Sequence, residues 1–214
     1  MPYRAVIFDL DGTLADTLAD LADAMNWTLR QFGLPEHPTD SYRLRVGDGA
    51  AVLVGRSLPA DRQDLLETAL GMMRARYQQH MFDKTRLYDG VPEMLDALAD
   101  RSLRLAVLSN KPHDATAMMV QRLCAAWRFE AVRGVGPDGV HKPDPRHALA
   151  IAEQMGVAPA QCLYLGDTNV DVRTARAAGM FAVGALWGFR DAAELTAAGA
   201  DVLIAHPSEL LGLL

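Results

Sequence analysis

The 214-residue sequence predicts an α/β protein, a parallel sheet covered on both faces by helices, with a helical subdomain inserted after the first strand. Three observations predict it. A β-forming apolar run, Arg4 to Leu10, stands alone near the amino terminus. Residues from about 16 to 85 carry helical periodicity without a strand pattern. From Asp89-Gly90 onward, short apolar runs alternate with amphipathic stretches.

Taken in order, Ala5-Val6-Ile7-Phe8 reads as a buried parallel strand that breaks at Asp11-Gly12. From Leu18, the residues Leu21, Ala22, Met25, Leu29 and Phe32 recur at helical spacing, and Gly33 with Pro35 supplies the stop. Val46-Gly47-Asp48-Gly49 is turn-rich, and Leu66, Ala69, Leu70, Met73 and Tyr77 mark another helix. The inserted segment, about 70 residues, is long enough for a small subdomain, residues 16–85, leaving 1–15 and 86–214 as the core.

The core continues with a helix carrying Pro92 in its first turn, a strand over Leu103 to Leu108, a helix from about Asp114 and a short strand over Phe129 to Val132. Asp144-Pro145 predicts an N-cap followed by proline at the first helical position, with the helix closing at Gly156. Strands over Cys162 to Leu165, Phe181 to Gly184 and Asp201 to Ala205 then alternate with helices over Thr168 to Ala178 and Asp191 to Ala198.

Composition narrows the function. A formal charge of −6 gives no basic field for a nucleic-acid backbone, so nucleic acid is excluded as a partner. No apolar run reaches the roughly 20 residues of a spanning helix, and Ala5 to Phe8 stops at Asp9, so neither a membrane span nor a secretory signal is expected. Cys124 and Cys162 have no metal or disulfide spacing and read as buried small apolar residues, which suits a reducing cytoplasm. The histidines form no metal-binding pair on a helix face. Lys84, Lys111 and Lys142 are the only lysines in an arginine-rich chain, and the last two each precede a proline.

Ligands of open α/β sheets bind beyond the carboxyl ends of the strands. The polar residues there are Asp9 and Asp11, then Ser109, Asn110 and Lys111, then Asp167 and Asp171, with Lys142 on a loop before a helix. So many carboxylates in one crevice repel each other unless a cation sits among them, and hard oxygen donors suit Mg²⁺, with Asp9 and Asp167 as direct ligands. Mg²⁺ held by few protein carboxylates takes phosphate oxygens as well, so the expected substrate is a small phosphate ester. Ser109, Lys111 and Lys142 would hold phosphate oxygens, Gly12 and Thr13 would let the backbone approach closely, and Thr13 and Asn110 join the substrate-binding set. In an extended segment residues i and i+2 face the same way, so Asp9 can attack phosphorus while Asp11 protonates the leaving oxygen and later takes a proton from water.

These residues resemble the haloacid dehalogenase superfamily. Asp9-Leu10-Asp11-Gly12-Thr13 is similar to its first motif, Ser109 to its second, Lys142-Pro143 to its third and Gly166-Asp167-Thr168-Asn169-Val170-Asp171 to its fourth, in order and at matching intervals. The resemblance implies a Rossmann-like core with an inserted helical cap that closes to exclude water. It further implies Asp9 as nucleophile, Asp11 as acid/base, and Mg²⁺ held by the Asp9 side chain, the Asp11 carbonyl and Asp167, with Asp171 supporting that shell.

A finer likeness, to the phosphoglycolate phosphatase branch, lies in Val46-Gly47-Asp48-Gly49-Ala50, in Val52 to Leu58, in Ser109-Asn110-Lys111-Pro112 and in Trp187-Gly188-Phe189, and it implies 2-phosphoglycolate as substrate. In that branch asparagine is usual at Asp48 and an aromatic at Arg45. An added carboxylate in the cap loop would repel an anionic substrate unless Arg45 or Arg56 pairs with it. Both arginines are candidates to meet a substrate carboxylate.

Two rivals remain open: a sugar-phosphate mutase that passes the same aspartyl phosphate to a second hydroxyl, and a non-enzymatic phospho-receiver. Gly134-Val135-Gly136-Pro137-Asp138-Gly139 matches a dinucleotide fingerprint, but no helix start follows it, so it reads as a loop. Asn26-Trp27-Thr28 matches a glycosylation acceptor inside a predicted helix of a chain with no expected signal, and is discarded.

Overall fold

All four residues of β1 (Ala5–Phe8) are completely buried, as a strand covered on both faces must be. The computed structural model describes residues 3–214. The chain forms two compact units: one takes the chain up to Ala15 and again from Leu87 to Leu214, the other is Asp16–Arg86. The chain passes between them in two short extended segments, β2 (Ala15–Asp16) and β3 (Arg86–Leu87).

The smaller unit holds α1 (Leu18–Gln31), α2 (Ala50–Ser57) and α3 (Leu66–His80). Leu21, Met25 and Leu29 of α1 are buried, as are Ala69, Leu70, Met73 and Tyr77 of α3, the apolar stripes read from the sequence. Asp20 ties the ends of this unit together: its buried carboxylate accepts from the backbone amides of Lys84 and Thr85 and from the Thr85 hydroxyl at 2.7 Å. Asn26 is buried, and its amide is bonded to the His37 backbone and the Tyr42 hydroxyl, which removes it as a glycosylation acceptor.

The larger unit continues with α4 (Val91–Asp100), β4 (Arg104–Pro112), α5 (His113–Leu123), β5 (Ala131–Val135), α6 (Arg146–Gln154), β6 (Cys162–Gly166), α7 (Asn169–Ala177), β7 (Phe181–Ala185), α8 (Ala192–Ala198) and β8 (Val202–Ile204). Its six-stranded sheet has the order β5-β4-β1-β6-β7-β8, and the pairings are parallel. The order reverses at β1, which has β4 on one side and β6 on the other. That is the switch point where a crevice opens beyond the strand ends. Cys162 is buried in the core with Ile7, Ala106, Ile151, Tyr164 and Val172, and Cys124 is buried and free.

Several boundaries differ from the sequence reading, three of them as follows. β4 runs on through Ser109, Asn110 and Lys111 because β5 pairs alongside it as far as Pro112, with a shift of register after Leu108. Local polarity predicts an end at Leu108; cross-strand pairing overrides it. β5 begins at Ala131 rather than Phe129, whose ring instead meets Phe8 edge to face, the centroids 6.4 Å apart. The helix expected from Pro145 starts at Arg146, whose amide is accepted by Asp144 Oδ1 at 2.9 Å. Among the described residues, no helix is long and apolar enough to cross a membrane.

Candidate active site

The register of the sheet assembles the site. Phe8 lies beside Val107 of β4 and Leu165 of β6, so Asp9, Ser109 and Asp167 emerge within one or two residues of the same level at the carboxyl edge. The Asp9 amide donates to Leu165 O at 2.9 Å, which extends the β1–β6 pairing to the site itself. The chain then turns tightly: the amides of Thr13, Leu14 and Ala15 all converge on Leu10 O, and Gly12 supplies the positive φ of 87°.

Asp9, Asp167 and Asp171 each offer a carboxylate oxygen, and these oxygens lie within 4.8 Å of one another. All three residues are buried, at 5%, 0% and 1% exposure. Like charges at that separation repel by about 3 kcal/mol per pair at an effective dielectric of 20. Lys142 Nζ answers part of this, 2.8 Å from Asp9 Oδ1 and 2.6 Å from Asp171 Oδ1. One ammonium against three carboxylates leaves the cluster with excess negative charge. Burial first, then Asp171, pushes Asp9 up to about 7, although Lys142 pulls the other way. Asp167 is raised by burial and by the charges of Asp171 and Asp9. Burial would lower Lys142, but Asp171 and Asp9 outweigh it and hold the lysine well above its ordinary range.

Asp9 Oδ1 is buried, and the Lys142 ammonium meets it at 2.8 Å. Three buried carboxylates that one ammonium does not neutralise form an oxygen-only donor set, the environment a hard divalent cation fits. Asp171 is oriented by its helix start: as the third residue of α7 it accepts from the amide and hydroxyl of Thr168, the latter at 2.6 Å.

The remaining expected site residues are placed as follows. Ser109 is buried and its Oγ accepts from the Lys111 amide at 3.2 Å. Lys111 Nζ bonds both oxygens of Asp11, at 2.7 and 2.8 Å. Asn110 and Thr13, both expected in the substrate-binding set, bond within the cluster. The Asn110 side-chain amide grips both faces of the Lys142 peptide, accepting from its N–H at 2.8 Å and donating to its carbonyl at 3.1 Å. Thr13 is completely buried and its hydroxyl donates to Asp167 Oδ1 at 2.9 Å.

In the smaller unit, Arg56 Nη1 lies 2.6 Å from Asp48 Oδ2, the partner that the Asp48 carboxylate requires. Arg45 donates to Ser41 O at 2.6 Å and to Arg56 O, and its guanidinium lies over the Tyr42 ring.

Sequence reasoning left the loop after β7 without a task. Phe189 N–H donates to Asp167 Oδ2 at 2.8 Å, and Trp187 Nε1 donates to Thr13 O at 3.0 Å. The available signal was Trp187-Gly188-Phe189 at the end of a strand, but a backbone donor is invisible in residue identity.

Comparison with known proteins agrees with this arrangement. The family model described as haloacid dehalogenase-like hydrolase matches residues 6–185. A phosphoglycolate phosphatase from Aquifex aeolicus is 31% identical over 99% of this chain and 96% of its own length. An N-acetylmuramic acid 6-phosphate phosphatase from Pseudomonas aeruginosa is 36% identical over 100% of this chain and 96% of its own. A crystal structure of a Lactobacillus delbrueckii subsp. bulgaricus protein, 29% identical, superposes with a TM-score of 0.91 over 98% of this chain and 97% of that one. With four motifs converging on one buried carboxylate cluster and a family model spanning most of its length, the chain belongs to the haloacid dehalogenase-like hydrolases.

Proposed function

We propose that this hydrolase is a Mg²⁺-dependent phosphomonoesterase whose substrate is a small organic phosphate, 2-phosphoglycolate foremost, and that it works through an aspartyl phosphate on Asp9. The observation that carries the reading is the Asp9 carboxylate, buried at the switch point with Asp167 and Asp171 oxygens within 4.8 Å and the Lys142 ammonium at 2.8 Å. The names of similar proteins support the substrate class: phosphoglycolate and N-acetylmuramic acid 6-phosphate are both phosphomonoesters that carry a carboxylate.

An oxygen of Asp9 forms a bond to phosphorus as the ester P–O bond breaks, and Asp11 gives its proton to the departing alcohol oxygen. Asp11, now a carboxylate, takes a proton from water whose oxygen attacks phosphorus. The Asp9–phosphorus bond breaks, and inorganic phosphate and free Asp9 result. Lys142 and Ser109 hold phosphoryl oxygens, while Lys111, which bonds both Asp11 oxygens, steadies that side chain as a carboxylate between its two proton transfers. Mg²⁺ held by Asp9, Asp167 and the Asp11 carbonyl, with Asp171 behind them, would supply charge neutralisation for the phosphoryl group. Recognition of the substrate carboxylate is assigned to Arg56, with Arg45 as its neighbour.

The test is phosphate release with Mg²⁺ across 2-phosphoglycolate, N-acetylmuramic acid 6-phosphate, sugar phosphates and neutral alcohol phosphates, with Asp9→Asn as control. Release that is fastest from 2-phosphoglycolate and absent in Asp9→Asn supports the reading. Activity surviving in that variant refutes the nucleophile. Isomerised sugar phosphate in place of free phosphate marks a mutase, and a stable phosphoprotein without turnover marks a receiver.

A further inference from the structure

Asp167 sits between two glycines that are remote in sequence. A Cβ on Gly12 would stand 2.3 Å from Asp167 Oδ2, and one on Gly188 would stand 2.3 Å from Asp167 Cβ and 2.4 Å from Gly12 O. At Gly188 contacts that short cannot be relieved by swinging a flexible tip, because the obstacles include the root of a buried side chain and a backbone oxygen. Gly12 has a second reason to be glycine, its φ of 87°, but Gly188 has no positive φ, so its requirement is one of space alone. The same three-residue loop also bonds outward at both ends. Phe189 N–H donates to Asp167 Oδ2 at 2.8 Å, and Trp187 Nε1 donates to Thr13 O at 3.0 Å, while Thr13 Oγ1 donates to Asp167 Oδ1 at 2.9 Å.

These contacts close a ring. The loop holds Asp167, Asp167 is held by Thr13, and Thr13 is held by the loop. Each Asp167 oxygen accepts one bond from this ring, and the two donors approach from different chain segments, so rotation of the carboxylate about its last bond is blocked from both sides. Without such a frame, a carboxylate facing Asp9 and Asp171 would turn away to lower the repulsion. Ordering it before a ligand arrives removes that reorganisation from the cost of binding.

We infer that Trp187-Gly188-Phe189 is a positioning clamp that pre-aims Asp167 at the cation site, with Gly188 setting the approach and the Phe189 amide and Trp187 indole locking it. The clamp acts through Asp167, as a positioning device. This inference rests on the reading of Asp167 as a metal ligand, and its test separates the two.

The experiment titrates the metal-free protein with Mn²⁺ alone, an oxygen-seeking ion suited to the same donors, and reads free Mn²⁺ by room-temperature electron paramagnetic resonance. Four proteins are compared: the unaltered chain, Asp167→Asn, Gly188→Ala and Trp187→Phe. Thermal melting of each metal-free protein is recorded alongside. The expected result is Mn²⁺ binding weakened at least tenfold in Asp167→Asn and Gly188→Ala and about threefold in Trp187→Phe, with Trp187→Phe melting close to the unaltered chain. Gly188→Ala and Trp187→Phe binding Mn²⁺ like the unaltered chain, while Asp167→Asn does not, would overturn the clamp and leave the ligand reading standing. Unaltered binding by Asp167→Asn would overturn the ligand reading itself. Should Gly188→Ala fail to fold, Trp187→Phe decides: it keeps an aromatic ring and removes only the indole donor.

Discussion

Lys142 stands between Asp9 and Asp171, its ammonium 2.8 Å from one carboxylate and 2.6 Å from the other, with only 2% of the lysine side chain exposed. A single cation thus links Asp9, just past the end of β1, to the helix that carries Asp171. Removing it leaves buried negative charge uncompensated, which costs about 3–5 kcal/mol.

Lys142→Met is therefore expected to lower the melting temperature of the metal-free protein by about 10 °C, using roughly 2–4 °C per kcal/mol for a chain of this size. Phosphate release is expected to fall more than a hundredfold. Calorimetry and steady-state kinetics check both, and a variant that melts with the unaltered chain would show that the carboxylates find another way to discharge.

Stability of the metal-free protein is expected to depend on pH in an unusual direction. Asp9 titrates near 7 when folded, against an ordinary value of 3.8, and Asp167 is shifted the same way. Between those pH values the folded state binds more protons than the unfolded chain, so stability falls as pH rises and the contribution is spent above about 7. From pH 5 to 8 the melting temperature should drop by on the order of 5 °C more in the unaltered chain than in Asp9→Asn. Parallel curves for the two proteins would contradict the assignment.

Asn110 supports Lys142 by its backbone, so Asn110→Ala should misplace the ammonium without removing it. The expected outcome is a kcat about tenfold lower with KM changed less than twofold, because a group that positions the charge acts on the transition state more than on binding. A rise in KM at constant kcat would favour the substrate-binding role expected from the sequence over the positioning one.

Arg56 is ion-paired with Asp48. Arg56→Ala is expected to cut kcat/KM for carboxylated phosphates about tenfold or more while leaving neutral alcohol phosphates within about twofold, since a guanidinium reads a carboxylate through a charge-assisted bond. Equal losses on both classes would remove the proposed role.

Much of the site is legible from residue order because the chemistry depends on side chains at strand ends. Asp9, Ser109 and Asp167 follow apolar runs whose β character is plain, and a parallel sheet brings such positions to one edge. The extension of β4 through Lys111 was not legible, since its cause is pairing with β5, a partner that local polarity does not reveal. The bonds of Thr13 to Asp167 and of Asn110 to Lys142 were not legible for a related reason: each joins segments far apart in sequence.

The order of strands and helices, the place of the helical insertion and the carboxylates gathered at the switch point were determined by the sequence itself, through periodicities of 2 and 3.6 and through turn residues that act over a few positions. What only the tertiary structure decided is which groups hold which. Thr13 meets Asp167 across 154 residues and Lys111 meets Asp11 across 100. Backbone donors such as the Phe189 amide are common to every residue but proline. Contacts of that kind are set by the packing of strands side by side, and no local pattern of residues encodes them.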